Sequence, residues 1–363
     1  MGNIQRGYFS FERLEFLDAN AHIEAENIAH FGDFLFNTRN TLELVGKGAT
    51  WMGESGKFAF NSNLARFKFQ GINTIFFNYL YNTSNLLLQV KARAMGTTSV
   101  AAIYPKNLNS LKYNLPAPAE QTKIGEYFQE LDNLIGLHQC KQDKLVTLKK
   151  AMLQKMFPQP GATTPEIRFE GFAEEWVEKT LKTAADISTG FPFKSSDFND
   201  FGIYLVVTNG NIQNEFSFVD STVGNRINIA GSADFSQYIL REGDILVTMD
   251  GSVGRTAKVR DENQILAQRV GRLVAKSDSE FLYQILNTGA FLKLMTTISH
   301  GGTIKHISLK EIGEYAFIAP SNMEEQKKIG TYFRKMDELI SKHAIQLQKL
   351  KQIKSSCLEK MYV

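Results

Sequence analysis

Apolar residues recur in alternating steps of four and three along residues 120–157 and again along 325–362. The first seam runs Ile124, Phe128, Leu131, Ile135, His138, Gln142, Leu145, Lys149, Met152, Met156. The second runs Ile329, Phe333, Met336, Ile340, His343, Leu347, Leu350, Lys354, Cys357, Met361. That alternation is the heptad seam of a long helix. At a rise of 1.5 Å per residue each helix should reach about 55 Å. Neither can bury its stripe alone, so the two are expected to pack as an antiparallel coiled coil.

Elsewhere the pattern shortens. "YLVVTNGNI", "YILREGDILVTM" and "RTAKVR" are rich in β-branched and aromatic residues and read as strands. "SEFLYQILNTGAFLKLMT" reads as one helix, with Phe281, Ile285, Leu286 and Leu292 facing a core. Prolines and glycines crowd 157–176, which reads as a linker. Short strands and helices without βαβ regularity give a mixed α/β fold of the α+β kind. The expected domains are 1–119, a helix over 120–157, a linker over 158–175, a second domain over 176–320, and a helix over 321–363.

The two seams are copies. "EQTKIGEYFQELDNLIGLH" from Glu120 faces "EQKKIGTYFRKMDELISKH" from Glu325 at an offset of 205, and 17 of 38 aligned positions are identical. Fainter matches precede them: "GDFLF" faces "GDILV", Asn82-Thr83 faces Asn287-Thr288, "MGTTSVAAIYPKNL" faces "HGGTIKHISLKEI", and Gly2-Asn3-Ile4-Gln5 faces Gly210-Asn211-Ile212-Gln213. The chain is therefore an internal repeat, a pseudo-twofold pair. What precedes "GNIQ" in the second copy, about 176–209, has no match in the first. The first domain is expected to be incomplete at its N-terminal side, with unpaired strand edges.

Composition narrows the class. Hydrophobic residues make up 43% and charged residues 22% of the chain, ordinary for a globular protein. No run approaches a spanning helix, so no membrane partner and a cytoplasmic location are expected. Net charge is +3 over 1–119 and −4 over 172–320, too balanced for nucleic-acid binding by bulk charge. Cys140 and Cys357 read as free thiols. His138 and His343 read either as metal ligands or as polar seam positions setting register. No Cys/His spacing favours the metal, and none is assigned. The basic face at Lys349, Lys351, Lys354 and Lys360 reads as solvated.

Local constellations suit DNA. In "DGSVGRTAKVR" a glycine-flanked turn exposes backbone N–H groups beside Ser252, Arg255 and Lys258, which can hold phosphates. "AQRVGR" supplies Gln268, Arg269 and Arg272, side chains able to read adenine or guanine edges. "SHGGTIKH" offers Gly302, Thr303 and Lys305 in a turn. Lys194, Ser195 and Asn211 join this set in the second domain, and Asn3, Arg66, Thr97 and Thr98 form its counterpart in the first. Phosphate-loop, serine-elbow and zinc-protease motifs, and the Asn-Pro-Pro-aromatic tetrapeptide of adenine methyltransferases, are all absent. No catalytic residue is assigned, and the chain reads as a binding protein.

"PEIRFEGFAEEW", "TGFPFKSSDF", "GDILVTMDGSVG", "GGTIKHISLKEI" and "EEQKKIGTYFRKMDELI", in this order, resemble the DNA-specificity (S) subunit of type I restriction-modification systems. The resemblance implies two target-recognition domains reading the halves of a bipartite, asymmetric site on double-stranded DNA. It implies helices that separate those domains and dock two modification (methyltransferase) subunits, with restriction subunits joining that core. No cofactor is expected in this chain. S-adenosylmethionine is expected on the modification subunit, and ATP and Mg on the restriction subunit. The alternative reading is a truncated remnant that occupies modification subunits without directing methylation to a complete site.

Overall fold

The computed structural model describes all residues except Met1, Ala19, Pro160, 214–216, 230–234, Tyr362 and Val363. The chain forms two compact units, Met1–Cys140 with His343–Val363, and Lys141–Lys342. The division falls inside each long helix, so each unit owns the start of one helix and the end of the other.

The long helices run Pro118–Lys155 and Met323–Met361. They begin differently. Proline opens the first, where its missing N–H costs nothing. Asn322 opens the second, its Oδ1 accepting from Glu324 N at 2.9 Å. The early seam does not face a helix partner alone. Ile124, Phe128 and Leu131 join the core of the first unit with Phe76, Phe77 and Tyr79. Ile329, Phe333 and Met336 do the same in the second unit with Phe281, Tyr283 and Ile285. Phe128 and Phe333 are fully buried, each burial worth about 1.5–3 kcal/mol. These six side chains are spent in the cores of their own units rather than in a seam between the two helices alone. Ile135, Leu145, Ile340 and Leu350 are half-buried.

Within each unit the helix ends run antiparallel. In the first, Tyr127, Asp132 and His138 meet Cys357, Lys354 and His343 in turn, so one number rises as the other falls. His138 and His343 approach Nδ1 to Nδ1 at 2.9 Å, one donating and the other accepting. No group of three metal-ligating side chains occurs among the described residues. In the second unit Lys149 meets Asp337 at 2.6 Å. Lys354 is thus half-buried and paired with Asp132 rather than solvated, while Lys349, Lys351 and Lys360 are exposed.

One antiparallel three-strand motif recurs in both units. Phe34–Asn37 lies between Gly48–Thr50 and Leu64–Phe67. Ile245–Thr248 lies between Thr256–Lys258 and Val270–Ala275, the latter extended by Ala185–Thr189. The second unit adds a sheet that pairs Tyr204–Val207 antiparallel with Arg226–Ile227 and parallel with Gln264–Leu266, and the first adds a small antiparallel sheet in which Ala101–Ala102 lies between Arg39–Asn40 and Met95–Gly96.

The stretch expected as a single helix is two, Ser279–Leu286 and Ala290–Ile298. The first unit has the same pair, Thr74–Tyr81 and Ser84–Lys91. The shared Asn-Thr marks the break. Asn82 and Asn287 each turn back to the carbonyl four residues earlier, and Gly289 then takes a left-handed φ of 95°. The break rotates Leu292 outward, so it is exposed rather than core. The linker packs: Phe169 meets Tyr332 edge-on and Lys328 lies over Phe172. Among the described residues, no helix is long and apolar enough to cross a membrane.

Candidate nucleic-acid interface

In the second unit strand Gln264–Leu266 belongs to one sheet and Val270–Ala275 to another. Gln268 and Arg269 form the corner between them. Both are exposed, and Arg269 takes a left-handed φ of 70°, which costs a non-glycine residue about 1–2 kcal/mol. Backbone bonds on both sides hold it there. Gln268 N donates to Phe191 O at 2.9 Å, and Arg269 O accepts from Met249 N at 3.1 Å.

Those bonds join three separate stretches of sequence, and a further bond brings in a fourth. Phe191 carries the "TGFPFKSS" loop, its ring meeting Phe235 edge-on and Phe193 and Tyr238 at a tilt. Met249 leads into Asp250-Gly251-Ser252, where Gly251 N donates to Lys305 O at 2.8 Å. His300 and His306 close the "HGGTIKH" turn by mutual backbone bonds. Lys194, Ser195, Ser252, Gln268, Arg269, Gly302, Thr303 and Lys305 are all exposed on these stitched segments.

Asp250 ties the surface together. It is largely buried, and one oxygen pairs with Arg269 Nη1 at 2.6 Å while the other meets His306 Nδ1. Burial alone would raise its pKa. The hydrogen bonds and charges of Arg269 and His306 outweigh that and hold it below the ordinary value. Glu311 is held low as well, first by the Ser308 backbone N–H, and it faces His300 at 2.9 Å. Sequence reasoning missed Asp250. Its signal was a lone acid closing an apolar strand before a glycine.

Other expected contacts are structural. Lys258 is buried, its Nζ held at 2.7 Å from both Glu280 oxygens and lying over the Phe218 and Tyr283 rings. It sits in a balanced network with Asp337, Lys149 and Gln284, so no phosphate can reach it. Arg272 is buried against Asp244 at 2.7 Å and donates to Gln237 O. Asn211 is buried, accepting from Thr208 N and donating to Asp220 O and Val223 O; it locks a loop. Arg255 is part-buried and faces a hollow shared with Lys149, Tyr283 and Asn287.

The first unit repeats parts of this plan. Arg66 pairs with Asp33 at 3.0 Å and caps Ile28 O. The strand registers Leu35↔Arg66 and Leu246↔Arg272 make the two Asp–Arg braces equivalent. Neither arginine is therefore a free reader, because each ties the acidic turn before the central strand to its neighbour. Asn3 donates to Ser10 O and Arg13 O, holding its own loop. Thr97 and Thr98 are exposed in the turn matching Gly302-Thr303. The preceding glycines, Gly96 and Gly301, both have positive φ, and a Cβ on either would come within 2.3 Å of a backbone carbonyl oxygen.

The profile of the type I restriction modification DNA specificity domain matches residues 18–147 and 173–354. The chain is 27% identical over 282 residues to the type I restriction enzyme MjaVIII specificity subunit of Methanocaldococcus jannaschii, covering 72% of this chain and 64% of that protein. It therefore spans just under two thirds of that relative's length. A putative MjaX specificity subunit of the same organism is 24% identical over 350 residues, covering 91% of this chain and 79% of that one. The crystal structure of the S subunit from M. genitalium has the same fold, with a TM-score of 0.67 at 16% identity over 92% of this chain and 84% of that chain. The repeat, the paired strand motifs and the matched profile agree: this chain belongs to the type I restriction-modification DNA specificity family.

Proposed function

We propose that this chain is the non-catalytic specificity subunit of a type I restriction-modification complex. Each globular part reads one half of a bipartite site on double-stranded DNA, and modification subunits dock on the exposed faces of the long helices, with restriction subunits joining that assembly. The observation that carries the reading is the backbone-stitched surface of Lys194, Ser195, Ser252, Gln268, Arg269, Thr303 and Lys305. Rigid turns bearing amide, hydroxyl and cationic side chains suit both phosphate positioning and base-edge readout, each good base contact discriminating by about 1–3 kcal/mol. Outside the repeat motifs the two units differ in sequence, which supports two unlike half-sites. S-adenosylmethionine belongs in this reading to the modification subunit, and ATP with Mg to the restriction subunit.

The test is adenine methylation, mapped genome-wide in cells carrying the chain with its modification subunit and in cells lacking the chain. A single bipartite motif present only with the chain is the expected result. Co-purification of the subunits with no motif would replace this reading with that of a remnant that occupies its partner without directing it.

A further inference from the structure

We infer that Arg269 is a guanine-reading side chain and that Asp250 is the residue that positions it; this rests on the specificity reading above. Four observations converge on the pair. The corner carrying Arg269 is pinned through its backbone to two other loops, at Phe191 and Met249. Its backbone holds a left-handed φ of 70°, a costly conformation for a non-glycine residue that the surrounding bonds keep in place. Asp250 grips a single guanidinium nitrogen, Nη1, at 2.6 Å. The Arg269 side chain nevertheless remains 62% exposed while Asp250 is 13% exposed, so the remaining donors of the fork point away from the carboxylate.

An arginine free to rotate must give up about 2 kcal/mol of rotamer entropy when it is fixed. One already held at a corner by a buried carboxylate gives up less when its fork meets guanine O6 and N7. His306 takes the second oxygen of Asp250 and keeps that carboxylate from turning away. The same contact ties the "HGGTIKH" turn to the arginine. Arg255 and Lys305 carry no such buried partner among the described residues, which marks Arg269 as the directed one.

The experiment uses the full chain assembled with its modification subunits and selects binding sites from a random DNA pool. The wild-type complex should return a motif containing at least one invariant G·C pair. If it returns no motif, the specificity reading itself fails. Asp250→Asn should relax one G·C position by tenfold or more. An unchanged motif with Asp250→Asn would overturn the positioning role and leave the specificity reading intact. Arg269→Lys keeps the charge but loses the fork, so it should relax the same G·C position. If it relaxes a different position or none, the assignment of Arg269 falls. In the double mutant Asp250→Asn/Arg269→Ala, the asparagine should add nothing to the loss that the alanine causes at that G·C position. Additive losses would show that Asp250 acts without Arg269, and would also overturn the proposal.

Discussion

At the foot of the second long helix, Glu325 is fully buried. Arg168 reaches it with Nε at 2.6 Å and Nη2 at 2.8 Å, and Trp176 Nε1 donates from 3.3 Å. At the foot of the first, the repeat-equivalent Glu120 is exposed, and among the described residues its carboxylate has no ion pair. The same contrast recurs one level up. Asp132 meets Lys354 and the Tyr79 hydroxyl, with over a third of its side chain exposed. Asp337 meets Lys149 and Gln284 beside the buried Lys258–Glu280 pair, and is nearly enclosed. Identical letters at matched places in a repeat therefore carry unlike energies. Charge burial, not identity, sets what each is worth: an enclosed ion stripped of its partner has no solvent to replace it, whereas an exposed one has.

The two tryptophans let this contrast be measured, because Trp51 lies in the first unit and Trp176 in the second. Denaturant unfolding followed through one tryptophan, with the other replaced by phenylalanine, reports each unit separately. The largest expected effect is Asp337→Ala, which leaves the largely buried Lys149 without its carboxylate and should cost the second unit about 3–5 kcal/mol. Asp132→Ala should cost the first about 1 kcal/mol or less. Equal losses would break the comparison. Next, Arg168→Ala should cost the second unit about 3 kcal/mol by stranding the buried Glu325. Glu120→Gln should shift the first unit by no more than about 0.5 kcal/mol.

Gly125 and Gly330 sharpen the comparison on backbone rather than charge. Each sits mid-helix where a short helix begins against it. A Cβ on Gly330 would lie 2.3 Å from Asp278 Oδ1 and 2.9 Å from Phe281 N, but on Gly125 only 3.0 Å from Phe76 N. Asp278 caps Phe281 N, so Gly330→Ala should displace that cap and cost about 1–3 kcal/mol. Gly125→Ala should come out nearer neutral, since the helix-propensity gain of roughly 1 kcal/mol offsets the tighter contact. A larger loss at Gly125, seen through Trp51, would contradict this ordering.

The smallest effect is pH-dependent and local to the second unit. Asp250 is held below its ordinary pKa, so its stabilising contribution is complete above the ordinary carboxylate range and is lost as pH falls through the folded value. Amide exchange at Gly251 and His306 should therefore accelerate, relative to the core strand Ile245–Thr248, as the solution is acidified below about pH 4. Asp250→Asn should flatten that acid dependence. If the dependence persists in the variant, another group controls the loops.

Much of the architecture was legible in the chain. The step of four and three located both long helices within a few residues, and the offset of 205 exposed the repeat, because periodicity and internal identity are local properties of a string. The β-rich runs around 204–207, 245–248 and 256–258 were equally plain. The helix break at Asn287-Thr288-Gly289 was not, since apolar spacing continues across it and only the backbone turn shows that the face has rotated.

Side-chain roles divided along the same line. Residue type indicated that Arg66, Lys258 and Arg272 could meet DNA, and it indicated the same of Arg269, Thr303 and Lys305. Tertiary structure separated the two groups. It enclosed the first between Asp33, Glu280 and Asp244 and left the second in solvent on pinned turns. The sequence by itself determined the repeat, the two long helices and the family. Which lysines and arginines are spent inside the fold, and that Asp250 links three distant loops, was decided by the tertiary structure. Burial and ion pairing depend on residues dozens to hundreds of positions apart, and no local pattern encodes them.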